Sequence, residues 1–182
     1  VGNNDGPWYQ GYCAISRANG ALRLLGKFDE TQFAAKEQRI AEMKFLRGWI
    51  YLGMKLRWNY VPWIDETVPT DAAVVAAISN RPKGSVNDLE LWDKIIKDLE
   101  DAANVLPETQ AEKGRPTKFA AHALAAKALL FRAYEKNDRH EVTNINKETL
   151  NKSLAHINEI TARDGSQYDL TPDFAENFMI EY

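Results

Sequence analysis

The strongest constraint on how this chain can fold lies between Ala41 and Asp65, in AEMKFLRGWIYLGMKLRWNYVPWID. Placing successive residues about 100° apart puts Met43, Leu46, Ile50 and Met54 on one side and Phe45, Trp49, Leu52 and Leu56 roughly opposite. A helix with a single apolar stripe can sit at the edge of a bundle. One with two stripes has to be covered on both sides, which predicts an inner helix of a stacked helical array. Lys44, Arg47, Lys55 and Arg57 are then expected to leave along the narrower flanks. Pro62 ends the helix, because its ring removes a donor and drives Val61 out of the helical region.

The other segments read as helices of the same kind. A first helix is expected from about Pro7 to Leu25, with Pro7 near its start and Gly26 just past its end. The two-striped helix spans about Thr31 to Asn59. Residues 61–84 carry Pro62, Pro69 and Pro82 and no lasting helical period, so they read as a long irregular excursion with at most a helical turn at Asp71 to Ile78. Loops of that size in a compact unit are uncommon and are often functional.

Ser85 followed by Asp88 resembles a helix start. Trp92, Ile95, Ile96, Leu99, Ala102, Ala103 and Leu106 then form one face of an outer helix, with Asp93, Lys94, Lys97, Asp98 and Asp101 off it. Thr117 is the expected N-cap of FAAHALAAKALLFRAY, where small residues at nearly every angle suit close approach of neighbours, so this is a second inner helix. Glu135 to Asn146 reads as a charged loop. A fifth helix is expected from Lys147 to Arg163 with Leu150, Leu154 and Ile157 on its buried face, followed by a tail with Thr171 as cap and Pro172 at the first helical position. The starts near Ser85 and Thr117 lie close to the roughly 34-residue period of a tetratricopeptide repeat. The expectation is an all-α fold of stacked antiparallel helix pairs, tetratricopeptide-like, forming one unit over residues 1–182 with the excursion at 61–84.

Composition excludes several functions. At 45% hydrophobic and 27% charged residues the 182-residue chain is globular in character, and a net charge of −3 is wrong for a broad nucleic-acid surface. No apolar run approaches the roughly 18 residues a membrane helix needs. The chain begins Val1-Gly2-Asn3-Asn4 without an initiator Met, as a segment trimmed from a longer protein would. Cys13 is the single cysteine, so an internal disulfide is impossible, and its setting in Tyr12-Cys13-Ala14-Ile15 is that of a small hydrophobe in a helix. His122, His140 and His156 lack the spacing of a helical metal site, and phosphate-binding and nucleophile-elbow motifs are missing. No metal or other cofactor is expected.

Asp65-Glu66 and Glu100-Asp101 supply carboxylates, yet an acid and base pair for glycoside hydrolysis must face one another across a sugar, and adjacent residues point apart. No catalytic residue is assigned and the chain is read as a non-enzyme. Among the five tryptophans, Trp49 and Trp92 fall on core stripes. Trp58 and Trp63 flank the helix end, where each either packs against a neighbour or offers a ligand a platform. Trp8, beside Asn3, Asn4 and Asp5, joins a flat apolar ring to hydrogen-bonding side chains, a composition used by sugar sites and by helix starts alike.

WYQGYCAISRAN, AEMKFLRGWIYLGMKLRWNYVPWID, LWDKIIKDLEDAANVLP and GRPTKFAAHALAAKALLFRAY, followed by YDLTPDFAENF, stand in the order and rough spacing of the SusD/RagB family of outer-membrane glycan-binding lipoproteins, which the chain resembles over nearly its whole length. The resemblance implies a non-catalytic protein at the outward face of the outer membrane of Bacteroidota. Such a protein captures an oligosaccharide or polysaccharide and delivers it to a SusC-like TonB-dependent transporter. It also implies membrane association only through a lipid anchor that is not part of this chain; Cys13 lies inside a helix and does not fit that role. Ligand contacts are expected at Asn3, Asn4, Asp5, Trp8 and Trp63. A helical scaffold that docks a protein partner and binds no sugar is the alternative.

Overall fold

The structure, a computed structural model, describes residues 5–79 and 89–163. Among them are six helices, α1 (Asp5–Leu25), α2 (Lys36–Lys55), α3 (Ala72–Ser79), α4 (Leu89–Val105), α5 (Lys118–Ala133) and α6 (Lys147–Thr161), with one small hairpin, β1 (Tyr134–Lys136) and β2 (Val142–Ile145), between the last two. Packing follows chain order: α1 lies on α2, α2 on α4, α4 on α5 and α5 on α6. This is the all-α stack of helix pairs that the periodicity predicts. The expected helix starts at Ser85 and Asp88 and the tail from Tyr168 to Phe174 lie outside the described residues.

The core runs as one cluster through α1, α2, α4 and α5. Ile15, Tyr51, Leu52, Ile95, Leu99, Ala102, Ala121, Ala125 and Ala128 are almost completely withdrawn from solvent. Two glycines set how closely the helices cross. A Cβ on Gly11 would stand 2.7 Å from the Met54 sulfur, and one on Gly48 would stand 2.9 Å from Leu99 Cγ. At each seam a glycine thus lets a side chain of the neighbouring helix lie directly against the backbone, and α2 is covered on both sides as expected.

Its orientation differs from the expectation. Trp49 is 54% exposed and Leu56 39%, whereas Arg47, Glu42 and Lys55 are buried. The reason is the crossing at Gly48: a helix that presents a glycine to Leu99 brings its neighbour Arg47 inside with it and turns Trp49 outward. Arg47 is tolerated there because ionic partners await it. Glu42 is satisfied likewise, by Arg39 at 2.7 Å, by Arg115 at 3.1 Å and by Gln110 at 3.2 Å. Those last two contacts fasten the turn before α5, where Gly114 takes the positive φ of 89° that an L side chain resists. The helix also starts later than expected, because Asp29 accepts bonds from the Gln32 N–H and the Thr31 hydroxyl and holds residues 29–33 in a separate turn.

Four further segments depart from the sequence reading. α4, expected as an outer helix with Asp98 off its buried face, packs between α2 and α5 and buries Asp98 against Arg47. The helical turn expected at Asp71 to Ile78 is a full two-turn helix, α3, opened by Asp71 accepting from the Ala73 and Val74 N–H groups. The charged loop at 135–146 contains the hairpin, closed by Asn137, whose side-chain oxygen accepts from the N–H of Arg139 and of Glu141 while His140 takes a φ of 64°. In α6 the residues turned to α5 are Thr149, Ser153 and His156, and the expected core residues Leu154 and Ile157 point outward, 54% and 43% exposed. Asn146 caps that helix through the Thr149 N–H, and Thr117 caps α5 through the Ala120 N–H as expected.

Gly20 lies on α1 with open space where a Cβ would stand. Gly20→Ala is therefore expected to raise unfolding free energy by up to ~1 kcal/mol through helix propensity. Gly48→Ala, which gains the same propensity but drives Cβ into Leu99, is expected to lower it by about 1–2 kcal/mol net. Urea denaturation of the two variants checks the opposite signs.

Candidate functional site

Arg47 is the point from which the site is built. Its Nε and Nη2 donate to the two Asp98 oxygens at 2.7 and 2.9 Å, and its Nη1 donates to Asn19 Oδ1 at 2.8 Å and to the Glu66 carboxylate. One guanidinium thus joins α1, α2, α4 and the segment after α2. Burial works against its charge, but Asp98 and then Glu66 outweigh that and hold Arg47 more firmly protonated than an ordinary arginine. The fork geometry requires arginine, since a lysine cannot make the paired contact.

The segment Val61–Thr70 is fastened to this hub mainly by its backbone. The Tyr51 hydroxyl accepts from the Ile64 N–H at 2.8 Å and donates to the Ile64 carbonyl at 3.1 Å. Tyr12 donates to the Pro62 carbonyl at 2.7 Å, Asn19 Nδ2 to the Ile64 carbonyl at 2.8 Å and Arg23 to the Glu66 carbonyl at 3.3 Å. Burial raises both phenols far above the usual tyrosine range, with Tyr51 adding to the effect on Tyr12, so both hydroxyls stay neutral donors. Asp65 closes the turn by accepting from the Thr67 N–H and hydroxyl and from Trp63 Nε1 at 2.9 Å. Partial burial opposes its charge, yet the bonds from Thr67 and Trp63 hold its carboxyl below the usual range.

Between this segment and α1 lies an open groove of about 480 Å³. Trp8, Tyr12, Ile15, Ser16, Asn19 and Arg23 form one long wall at helical spacing, with Tyr9 at its rim; Pro62, Ile64, Val68, Pro69 and Thr70 form the other, and Val75 of α3 closes one side. The Trp8 ring meets Tyr12 at 5.1 Å and stands edge-on to Trp58 at 5.1 Å, so it is held in place. Tyr9 is 70% exposed. The groove offers flat aromatic and aliphatic surface with a hydroxyl and a guanidinium further along: it can hold a ligand whose faces are apolar and whose edges are polar.

Of the residues singled out by sequence, Trp8 lines this groove. Trp63 does not: its ring stacks on Tyr51 at 4.4 Å and lies against the Arg47 guanidinium at 5.2 Å. Asp5 opens α1, and Asn3 and Asn4 lie outside the described residues. Tyr9, Tyr12, Ser16 and Arg23 were not anticipated. For Tyr12, Ser16 and Arg23 the signal is the spacing 8, 12, 16, 19, 23 along one face of α1, which mixes aromatic and polar residues; Tyr9 lies off that series. The carboxylate pairs are otherwise engaged: Asp65 with Trp63 and Thr67, Glu66 with Arg47, and Asp101 with Lys44 at 2.7 Å and Lys97 at 3.1 Å. Among the described residues no group of three or more His, Cys, Asp or Glu is placed to hold a metal ion, and no helix is long and apolar enough to cross a membrane.

Stacked helix pairs carrying a long, tightly fastened excursion after the second helix define a tetratricopeptide-like helical unit. A family model described as "SusD-like_3: Starch-binding associating with outer membrane" matches residues 2–130, and the chain belongs to this SusD-like family. SusD-like protein P2 of Formosa agariphila is 31% identical over 125 residues, 69% of this chain and 23% of that protein. A SusD-like protein of Bacteroides ovatus is 29% identical over 137 residues, again 23% of its length. A crystal structure described as being with xylogluco-oligosaccharide superposes with a TM-score of 0.73 at 26% identity, covering 96% of this chain and 32% of that one. A SusD-like protein of Bacteroides fragilis gives 0.63 at 26% identity, over 86% and 27%. The chain thus spans about a quarter of the curated relatives and about a third of the first of these structures.

Arg47→Ala would leave Asp98 buried without its counter-charge, and a loss of about 3–5 kcal/mol in unfolding free energy is expected. Arg47→Lys is expected to lose less, because the charge survives without the fork. Chemical denaturation followed by tryptophan emission measures both, and in each variant the Trp63 signal should shift before global unfolding as the 61–70 segment loosens.

Proposed function

We propose that the 182 residues form one SusD-like helical unit of a non-catalytic glycan-capture protein, and that the groove between α1 and the 61–75 segment takes a sugar ring of an oligosaccharide. The observation that carries this reading is the side-by-side placement of Trp8, Tyr9 and Tyr12 with Ser16 and Arg23 on one groove wall. Sugar rings present C–H faces to aromatic rings and hydroxyls at their edges, which is the pattern this wall complements. The description of a similar structure as one with xylogluco-oligosaccharide supports it. Asn3, Asn4 and Asp5, close to Trp8 in sequence, belong to the same reading as hydrogen-bonding groups, and Trp63 as the residue that supports the opposite wall from behind.

In the whole protein the captured oligosaccharide passes to a SusC-like TonB-dependent transporter at the outward face of the outer membrane, where the protein is held by a lipid anchor. Covering about 100 Å² of apolar surface at ~25 cal/mol/Å² provides ~2.5 kcal/mol before ordering costs, so one ring in this groove binds weakly. Useful affinity requires further contacts beyond the groove, and handing the ligand on is easier when no single contact is strong.

Titration with a panel of oligosaccharides, read by tryptophan fluorescence, tests the assignment. Tyr9→Ala is expected to weaken binding about 10-fold while changing unfolding free energy little, because its side chain is 70% exposed; Arg23→Ala is expected to weaken binding at least as much, since it also releases the Glu66 carbonyl from α1. Binding unaltered by either change would place the sugar elsewhere. Copurification with a β-barrel transporter from the native membrane tests the delivery step.

A further inference from the structure

α6 is held on the stack through a polar face. α6 turns Thr149, Ser153 and His156 toward α5 and leaves Leu154 and Ile157 outside. Three polar contacts cross the seam: Ser153 Oγ donates to the Ala126 carbonyl at 2.8 Å, Arg132 donates to Thr149 Oγ1 at 3.2 Å, and the two imidazoles of His122 and His156 meet with their Nδ1 atoms 2.8 Å apart. The rings are tilted 50° with centroids 5.0 Å apart, so the contact is edge-on through the nitrogens and not a stack.

Such a contact needs one proton between the two nitrogens. Glu100 Oε1 of α4 stands 3.4 Å from His156 Nε2, which favours the proton of a neutral His156 on that nitrogen and leaves its Nδ1 as the acceptor. His122 then donates through Nδ1–H. One added proton changes the charge but not the contact: three N–H groups are shared among four nitrogens, and one Nδ1 remains bare to accept. A second added proton fills all four, so that two N–H groups confront one another across 2.8 Å and two positive rings repel. The contact tolerates one proton and is broken by two.

We propose that His122 and His156 form a shared-proton latch that fastens α6 to α5 near neutral pH and opens in mild acid. The charged groups around it come from every neighbouring element: Glu100 from α4, Lys118 from α5 and Glu159 from α6. Arg163, just beyond α6, lies over Phe119 at 5.6 Å and is paired with Glu108 at 2.7 Å. Burial first, and then the neighbouring His156, lower the affinity of His122 for a proton below that of a free histidine; Lys118 adds to this and Glu159 opposes it. With its folded value below the unfolded one of ~6.5, the unfolded chain takes up the proton first, so the latch contributes fully above about pH 6.5 and its contribution is lost as pH falls.

Histidine-ring NMR of the full chain, with amide hydrogen exchange of α6, tests this. The His122 ring signals are expected to change with pH in two steps, the second accompanied by loss of its contact with His156. Exchange of the α6 amides, corrected for intrinsic rates, is expected to quicken at least ~10-fold between about pH 7 and pH 5. His156→Asn keeps a polar group near the Nδ1 position without its titration, and should remove that acceleration. A single-step change of the His122 signals that leaves the contact with His156 intact in acid, or acid loosening that persists in His156→Asn, overturns the proposal. Zinc that slows exchange at micromolar concentration, reversed by EDTA, would also overturn it by making the bridge a metal ion.

Discussion

The fork between Arg47 and Asp98 is what the described structure depends on. A bare guanidinium in the interior is costly, and it is compensated only while Asp98 of α4, Asn19 of α1 and Glu66 of the following segment hold their places together. The same requirement couples parts of the chain that sequence separates widely. Apolar packing at Leu99, Ile95 and Tyr51 provides the bulk of the burial, but apolar contacts tolerate sliding. The fork does not, and it registers α2 against α4 while bringing the 61–70 segment onto α1.

How legible this was depends on the kind of interaction. Two-sided burial of the helix around Gly48, the stripe Trp92–Leu106 and the Thr117 cap followed from spacing, because those residues act through local geometry that period and propensity encode. Arg47 and Trp49 were read the wrong way round. A helical wheel assigns arginine to solvent and indole to the core, and the opposite arrangement arises only from partners 19 to 51 residues away and from a glycine that makes room for Leu99. For α6 the wheel erred for a related reason: Thr149, Ser153 and His156 find acceptors and donors on α5 and α4, so a polar face could be turned inward.

The groove was legible in part. Trp8 announced itself as an aromatic near polar residues at a helix start, and the proline-rich excursion announced itself as the irregular element of a regular fold. Their apposition could not be read, since it rests on Tyr12, Tyr51, Asn19 and Arg23 reaching across to carbonyls of the excursion. Trp63 looked equally available from sequence. Its partnership with Tyr51 and Arg47 is a tertiary fact that nothing local encodes.

The contact between the Tyr51 hydroxyl and Ile64 has a consequence for how such a site can change over time. One phenol oxygen meets both the N–H and the C=O of the same residue, as a neighbouring strand would, and the other fastenings at Pro62, Ile64 and Glu66 also grip main-chain oxygens. Main-chain atoms are the same whatever residue carries them. Side chains facing the groove at 68, 69, 70 and 75 can therefore be exchanged without releasing the frame that presents them, so the ligand preference of this wall can drift while its position is inherited intact.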